Sequence, residues 1–327
     1  MTATSSSTLT QWLYGFALHG NVLLLPLAMV VLLAVIFIVA WLNTQSGFLL
    51  VEMSTGQSIG TCAMFVLMPG YLLLMMQLQM RHTHRALEDL QPITTSAQLQ
   101  PVYESMVRPG GIIFFALIGG AIFGITQNWE VIEKMIELKR IPVLDLVFTL
   151  GNALVWGMAG LLLCWRIPVS GLLSELGRRL PVDLYRLERV RPLARLATTD
   201  VLVVAGAMAL MPLQALDAEF RIWNYQWGIL IGVPAAILLF LLPLWGIRER
   251  IKLAKAERMA ALNQQIAMQD REDVVALEAL VAHADRIRSL PNWPLDLKLV
   301  TRIFAYVIIP PAAWVAAALV ENAIERL

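Results

Sequence analysis

A chain of 327 residues that is 58% hydrophobic and 15% charged, with mean hydropathy +0.67, lacks the balance of a soluble domain, where about 25% of residues are charged. Its apolar residues are gathered into long uncharged blocks, which is the mark of a membrane protein. A formal net charge of +1 gives no reason to expect nucleic acid as a partner.

The first ten residues, MTATSSSTLT, carry no Lys or Arg, and no small-residue cleavage site follows a short apolar core. The first apolar block is therefore expected to stay in place as a signal anchor. A spanning helix needs about 20 mostly apolar residues. Six blocks meet that need: Val22–Leu42, Ile59–Met80, Gly111–Thr126, Val143–Trp165, Thr198–Leu216 and Gly228–Gly246. A seventh, Ile303–Val320, contains the pair Pro310-Pro311. The expected fold class is all-α: a polytopic helical membrane protein of about seven spans with a cytoplasmic antiparallel helical hairpin.

Lys and Arg fix the expected orientation. With the N-terminus inside, the cytoplasmic segments 1–21, 81–110, 166–197 and 247–302 hold 0, 3, 7 and 10 basic residues. The outside segments 43–58, 127–142, 217–227 and 321–327 hold 0, 3, 1 and 1. The bias predicts a plasma-membrane protein of the bacterial inner-membrane type, with a cytoplasmic N-terminus and the C-terminus outside. Trp41, Trp129, Trp223 and Trp227 then fall at outer ends, and Trp165, Trp245 and Trp293 at inner ends, where amphipathic rings belong.

Three regions follow from this division. Residues 1–247 form a membrane domain with six spans and an arginine-rich segment at 166–197. In that segment Leu172, Leu173, Leu176 and Leu180 recur at helical spacing, and Leu184, Leu187, Val190 and Leu193 do so after Pro181. Arg178, Arg179, Arg186, Arg189, Arg191 and Arg195 suit contact with anionic lipid headgroups; ordinary positive-inside arginines on loop helices explain them equally. Residues 248–290 read as a cytoplasmic hairpin, a short coiled coil with about 20 residues per arm. Ile251, Ala254, Leu262 and Ile266 mark one arm, and Val274, Leu277, Val281, Ala284 and Ile287 the other, with Asp270 as cap and Pro291 as stop. Residues 291–327 read as a proline-kinked C-terminal membrane segment.

Chemistry is scarce at membrane depth, where ionisable groups are costly and usually functional. The predicted spans contain no Lys, Arg, Glu or His, and only two acids, Asp145 and Asp200. Each lies within about a turn of a span's start, so interfacial solvation accounts for both. Asn152 sits mid-span between Gly151 and Ala153, and Gln77 and Gln214 lie near span ends. Bonding between helices explains such residues, and lining a ligand or ion path is the functional alternative. Pro69, Tyr306, Pro310 and Pro311 mark kinks at which freed backbone carbonyls could accept a ligand. Ala116, Gly120 and Gly124, spaced by four, form a small-residue ridge for close helix approach.

With four histidines, none mid-span, and no nucleotide loop, dinucleotide fingerprint or nucleophile elbow, no enzyme activity, cofactor or metal is expected. Cys62 and Cys164 lie in apolar blocks and read as small hydrophobes. Two functions remain open. The first is a structural, assembly or signalling component acting through its cytoplasmic helices. Its partners would be the lipid bilayer with anionic headgroups, and a cytoplasmic protein or a second copy of the chain. The second is a channel or uncoupled carrier for an ion or small solute that uses the kinked spans.

Overall fold

A computed structural model describes residues 15–44, 55–107, 112–139, 141–215, 226–269 and 274–293, together with Thr301 and Ala305. It is 90% helical, with no strand among the described residues. The helices are α1 (Leu24–Thr44), α2 (Thr55–Leu90), α3 (Ser96–Val107), α4 (Ile112–Thr126), α5 (Trp129–Glu137), α6 (Val143–Arg179), α7 (Arg191–Leu210), α8 (Gln226–Met268) and α9 (Val274–Ser289). Five stretches are long and apolar enough to cross a membrane: Leu24–Asn43, Thr55–Ile93, Val143–Arg179, Leu187–Gln214 and Gln226–Met268. Apart from Ala305, the predicted seventh span, with Tyr306, Pro310 and Pro311, lies outside the described residues.

The third predicted span meets a bend. α4 is described from Ile112 to Thr126, and residues 108–111 before it lie outside the described ones. Phe114–Thr126 and Trp129–Glu137 bend by 65° and together make a sixth span only if counted as one. The cause is in the sequence. After Thr126 the apolar run gives way to Gln127 and Asn128, and α5 carries Glu130, Glu133, Lys134 and Glu137.

Helix α6 differs from its predicted block, while α8 continues the sixth span into the first arm of the hairpin, as the helical spacing of Ile251, Ala254, Leu262 and Ile266 implies. Each runs past its apolar part without a break, to 37 and 43 residues, or about 55 and 65 Å. Pro69 likewise lies inside the unbroken 36-residue α2, so the "MPGY" stretch ends no helix. The "LLSELGRR" stretch is therefore the last two turns of α6. Its Leu173 and Leu176 are buried, and Gly177 packs on Ile247 of α8.

Helix α2 packs against α1, α6 and α7, and α6 packs against α4 and α8. One aromatic cluster ties α1, α2 and α6: Phe37–Phe65, Phe37–Phe148 and Phe65–Phe148 have ring centroids 6.2, 6.0 and 6.2 Å apart. Two crossings rest on glycine. A Cβ on Gly120 of α4 would strike the Trp156 carbonyl of α6, and one on Gly124 would lie 2.7 Å from the Asn152 carbonyl. Gly246 of α8 has the same relation to the Ser174 carbonyl, and its amide donates to Ser174 Oγ at 3.0 Å. α1 is attached more loosely, with 17% of its apolar window buried against 50% for α2. The bundle has an arginine-rich end, where α2 and α6 finish and α7 begins, and an opposite end holding the starts of α2, α6 and α8.

Candidate functional site

Two polar sites lie inside the bundle, one towards each end. At the arginine-rich end, Arg166 of α6 and Asp200 of α7 are both fully buried and paired, Nε to Oδ1, at 2.8 Å. Helix α2 completes the cluster: Gln79 Nε2 donates to Asp200 Oδ1 at 2.9 Å, and Arg166 Nη1 donates to Thr83 Oγ1 at 2.9 Å. Interfacial solvation of Asp200 is thus incorrect. Its carboxylate is sealed among three helices, and Arg166 is a bundle residue rather than the first residue of a loop. Asp145 is buried as well, at 3% exposure, so solvent does not account for it either. A charge inside low-dielectric surroundings persists only with a partner, which each of these two ions supplies to the other.

Sequence reasoning missed this cluster because its two charges sit just outside or at the edge of the apolar blocks. The usable signal was their shared level. Arg166 follows the end of a span that descends to the arginine-rich end, and Asp200 opens the span that rises from it. Gln79 and Thr83, spaced by four, put two polar groups on one face of α2 at that depth. Arg166 Nη2, Asp200 Oδ2, Gln79 Oε1 and Ser170 Oγ are buried with no protein partner among the described residues. Neither amide atom of the buried Gln77 has one.

At the opposite end a cavity of about 320 Å³ opens between α2, α6, the start of α8 and the 3-10 turn Met211–Ala215. It brings together two of the predicted residues, Asn152 and Gln214, with Gln57, Thr61, Gln127 and Asn128. Met64, Phe148, Trp156 and Trp227 are among its walls. No charged side chain lines it among the described residues. Asn152 Nδ2 donates to the Gly124 carbonyl at 2.8 Å, and Asn128 Nδ2 donates to that same oxygen at 3.1 Å. Gly124 makes this possible: without a side chain, it lets α6 approach closely enough for Asn152 to reach the α4 backbone. Gln214 Nε2 points at Met64 Sδ, 3.9 Å away.

Gly124 is thus tied to the cavity, and the other predicted residues among those described lie apart from both sites. Gly70, next to Pro69, packs against α1 through Val30, where a Cβ would clash. Ala116, Gly120 and Gly124 face Gly160, Trp156 and Asn152 across the α4–α6 crossing. Of the arginines, Arg178 pairs with Glu175 at 3.1 Å and with Glu249 of α8 at 2.7 Å. Arg179 pairs with Glu175 at 2.8 Å, and Arg191 with Glu188 at 3.3 Å. Arg186, Arg189 and Arg195 are exposed. No group of three or more His, Cys, Asp or Glu could hold a metal among the described residues.

Helix α9 packs on the far part of α8 with Ala284 and Ile287 buried, and Lys255 Nζ donates to the carbonyls of Arg288 and Leu290 at 3.2 and 2.8 Å. Val274 and Val281, expected on the packed side, are 64% and 44% exposed. α9 is seated through Leu280, Ala284 and Ile287, while its first turn stands free of the core. No protein-family model, curated protein or solved structure matches the chain.

Proposed function

We propose that the protein is a non-enzymatic multi-pass membrane component that assembles or signals through its cytoplasmic helices. In this reading it is of bacterial inner-membrane type, with its N-terminus and the 248–290 hairpin in the cytoplasm. The observation that carries the reading is the unbroken length of α8. From Gly246 to Met268 it extends about 33 Å beyond its apolar part, well past a headgroup layer. At that distance Met268, Val274 and Val275 are 85%, 64% and 80% exposed. Apolar side chains held so far from the lipid suit a protein partner, because a bilayer surface cannot reach them. Arg186, Arg189 and Arg195, closer to the bundle, suit anionic headgroups.

Removing Arg258–Ile287 from the full chain tests this reading. The truncated protein should still insert and purify as a folded membrane protein, and it should lose both its cellular function and its co-purifying partner. Full retention of both would overturn the proposal.

A second reading, a channel or uncoupled carrier, draws on the polar cavity around Asn152 and Gln214. Reconstituted vesicles decide it. Flux of an ion or small solute that falls on Asn152→Leu substitution supports a path, and absence of flux across a broad panel rejects one.

A further inference from the structure

Helix α5 links α4 to α6, yet its composition suits neither the bilayer core nor open water. At the α-helical turn of 3.6 residues, Glu130, Glu133, Lys134 and Glu137 share an arc of about 100°. All four are exposed. The rest of the circumference is apolar. Met135 is buried against the bundle, and Val131 and Ile132 beside it are half-buried. Ile136 and Trp129 form the flank next to them, 67% and 57% exposed, so the bundle does not cover them.

Three placements are open to such a helix. As the second half of a span after α4, it would turn four exposed charges towards hydrocarbon, where ionised groups are costly. Standing clear in water, it would leave Trp129 and Ile136 uncovered, with Leu138 and Ile141 close by in the chain and also exposed. In the headgroup layer, parallel to the membrane plane, both conditions are met: the charged arc looks out to water and the apolar flank rests on acyl chains. The two ends of α5 fit that level. It turns 65° from α4, whose exposed Phe115, Ile118 and Ile122 form an apolar surface of the kind that faces lipid, and it begins where that surface ends. At its other end the chain reverses at Lys139, with φ of 49°, and Pro142 opens α6, a helix long and apolar enough to cross the membrane. We propose that α5 is an in-plane anchor, its Trp129–Ile136 flank inserted among the lipids of the leaflet opposite the arginine-rich end. Lys134, Lys139 and Arg140 match Glu130, Glu133 and Glu137 in number, so apolar burial rather than lipid charge carries the contact. The Asn128 carbonyl accepts from the Val131 and Ile132 amides, both at 3.1 Å, and Gln127 and Asn128 line the opposite-end cavity. The anchor therefore sets one rim of that cavity at headgroup depth.

The test uses the full chain reconstituted in phosphatidylcholine vesicles. A nitroxide is placed in turn at each position from Trp129 to Glu137, in a background carrying Cys62→Ala and Cys164→Ala. Power saturation with oxygen, which gathers in hydrocarbon, and with a water-soluble nickel chelate then reads the depth of each label. Depth should rise and fall with a period of about 3.6 residues, greatest at Trp129 and Ile136, with no net trend along the helix. A steady trend of about 1.5 Å per residue, or about 12 Å from Trp129 to Glu137, would show a span and overturn the proposal. Nickel contact at every position would show a helix in water, and low contact with both reagents at Trp129 and Ile136 would show a protein surface over the flank; either result overturns it. Adding anionic lipid should leave the depths unchanged, and depths that follow lipid charge would refute an apolar anchor. A second measurement needs no variant to fold. On the unaltered chain, a water-borne carbodiimide should modify Glu130, Glu133 and Glu137, and a diazirine carried on lipid acyl chains should mark Trp129 and Ile136. Absence of lipid-borne marks on α5 would overturn the proposal.

Discussion

The two polar sites inside this bundle solve the same physical problem in opposite ways. Towards the arginine-rich end the bundle holds full charges and closes on them: Arg166 and Asp200 are both fully buried, and α2 adds Gln79 and Thr83. Towards the opposite end the polar side chains lining a space of about 320 Å³ are neutral among the described residues, amides for the most part. The difference separates architecture from chemistry. Opposed charges in a sealed, low-dielectric place hold three helices in one arrangement, since each ion is costly without the other. Neutral amides cost little to keep half-satisfied, so they can line a space and leave lone pairs on offer. A membrane protein that placed its ion pair in the cavity and its amides in the sealed site would have neither stability at the one nor selectivity at the other.

The sharpest way to break this contrast is to remove one member of the pair. Arg166→Met leaves the Asp200 carboxylate buried without a countercharge, at a cost of about 3–5 kcal/mol. Thermal unfolding in detergent should show a large fall in midpoint and poor recovery of folded protein. The double variant Arg166→Met/Asp200→Leu removes both charges and should regain most of the loss, because an apolar pair of similar volume needs no partner. If the single variant melts like the parent, the pair does not hold the helices together.

A smaller effect is expected from Gln79→Leu. It keeps the ion pair and removes the neutral donor to Asp200 Oδ1, a hydrogen bond to a charged group worth about 1.5–3 kcal/mol. The shift should lie between those of the parent and Arg166→Met. An effect as large as that of Arg166→Met would show that the amide, rather than the arginine, is the main partner of the carboxylate.

These sites were unequally legible in the sequence. The Ala116–Gly120–Gly124 spacing announced a close crossing, because a four-residue repeat of small side chains has one meaning on a helix. Asn152 stood out as an amide in an apolar run. What spacing could not say is that it reaches Gly124 across 28 residues of chain. The ion pair was hidden for a more basic reason. Charges within a turn of a span's edge are read as solvated unless something shows that three helices meet there, and no local pattern carries that fact. The length of α8 was partly legible as helical periodicity continuing from the sixth span, whereas the bend after α4 needed the polarity of Gln127, Asn128 and α5 to be weighed against an apolar block a little too short.

The smallest effect belongs to the cavity, and it bears most directly on the contrast. Asn152→Leu removes one interhelical hydrogen bond, 2.8 Å long, from a neutral donor to a neutral acceptor. Bonds of this kind between membrane helices are worth about 0.6 kcal/mol on average. The crossing of α4 and α6 would keep its glycine contacts, so the thermal midpoint should move only slightly, much less than for Gln79→Leu. The vesicle test of the channel reading uses the same variant, so stability and flux are read together. Stability nearly unchanged with flux diminished would place Asn152 among groups kept for what they let pass. A melting shift as large as that of Gln79→Leu would place it instead with the ion pair, as part of the framework, and would erase the distinction between the two ends of the bundle.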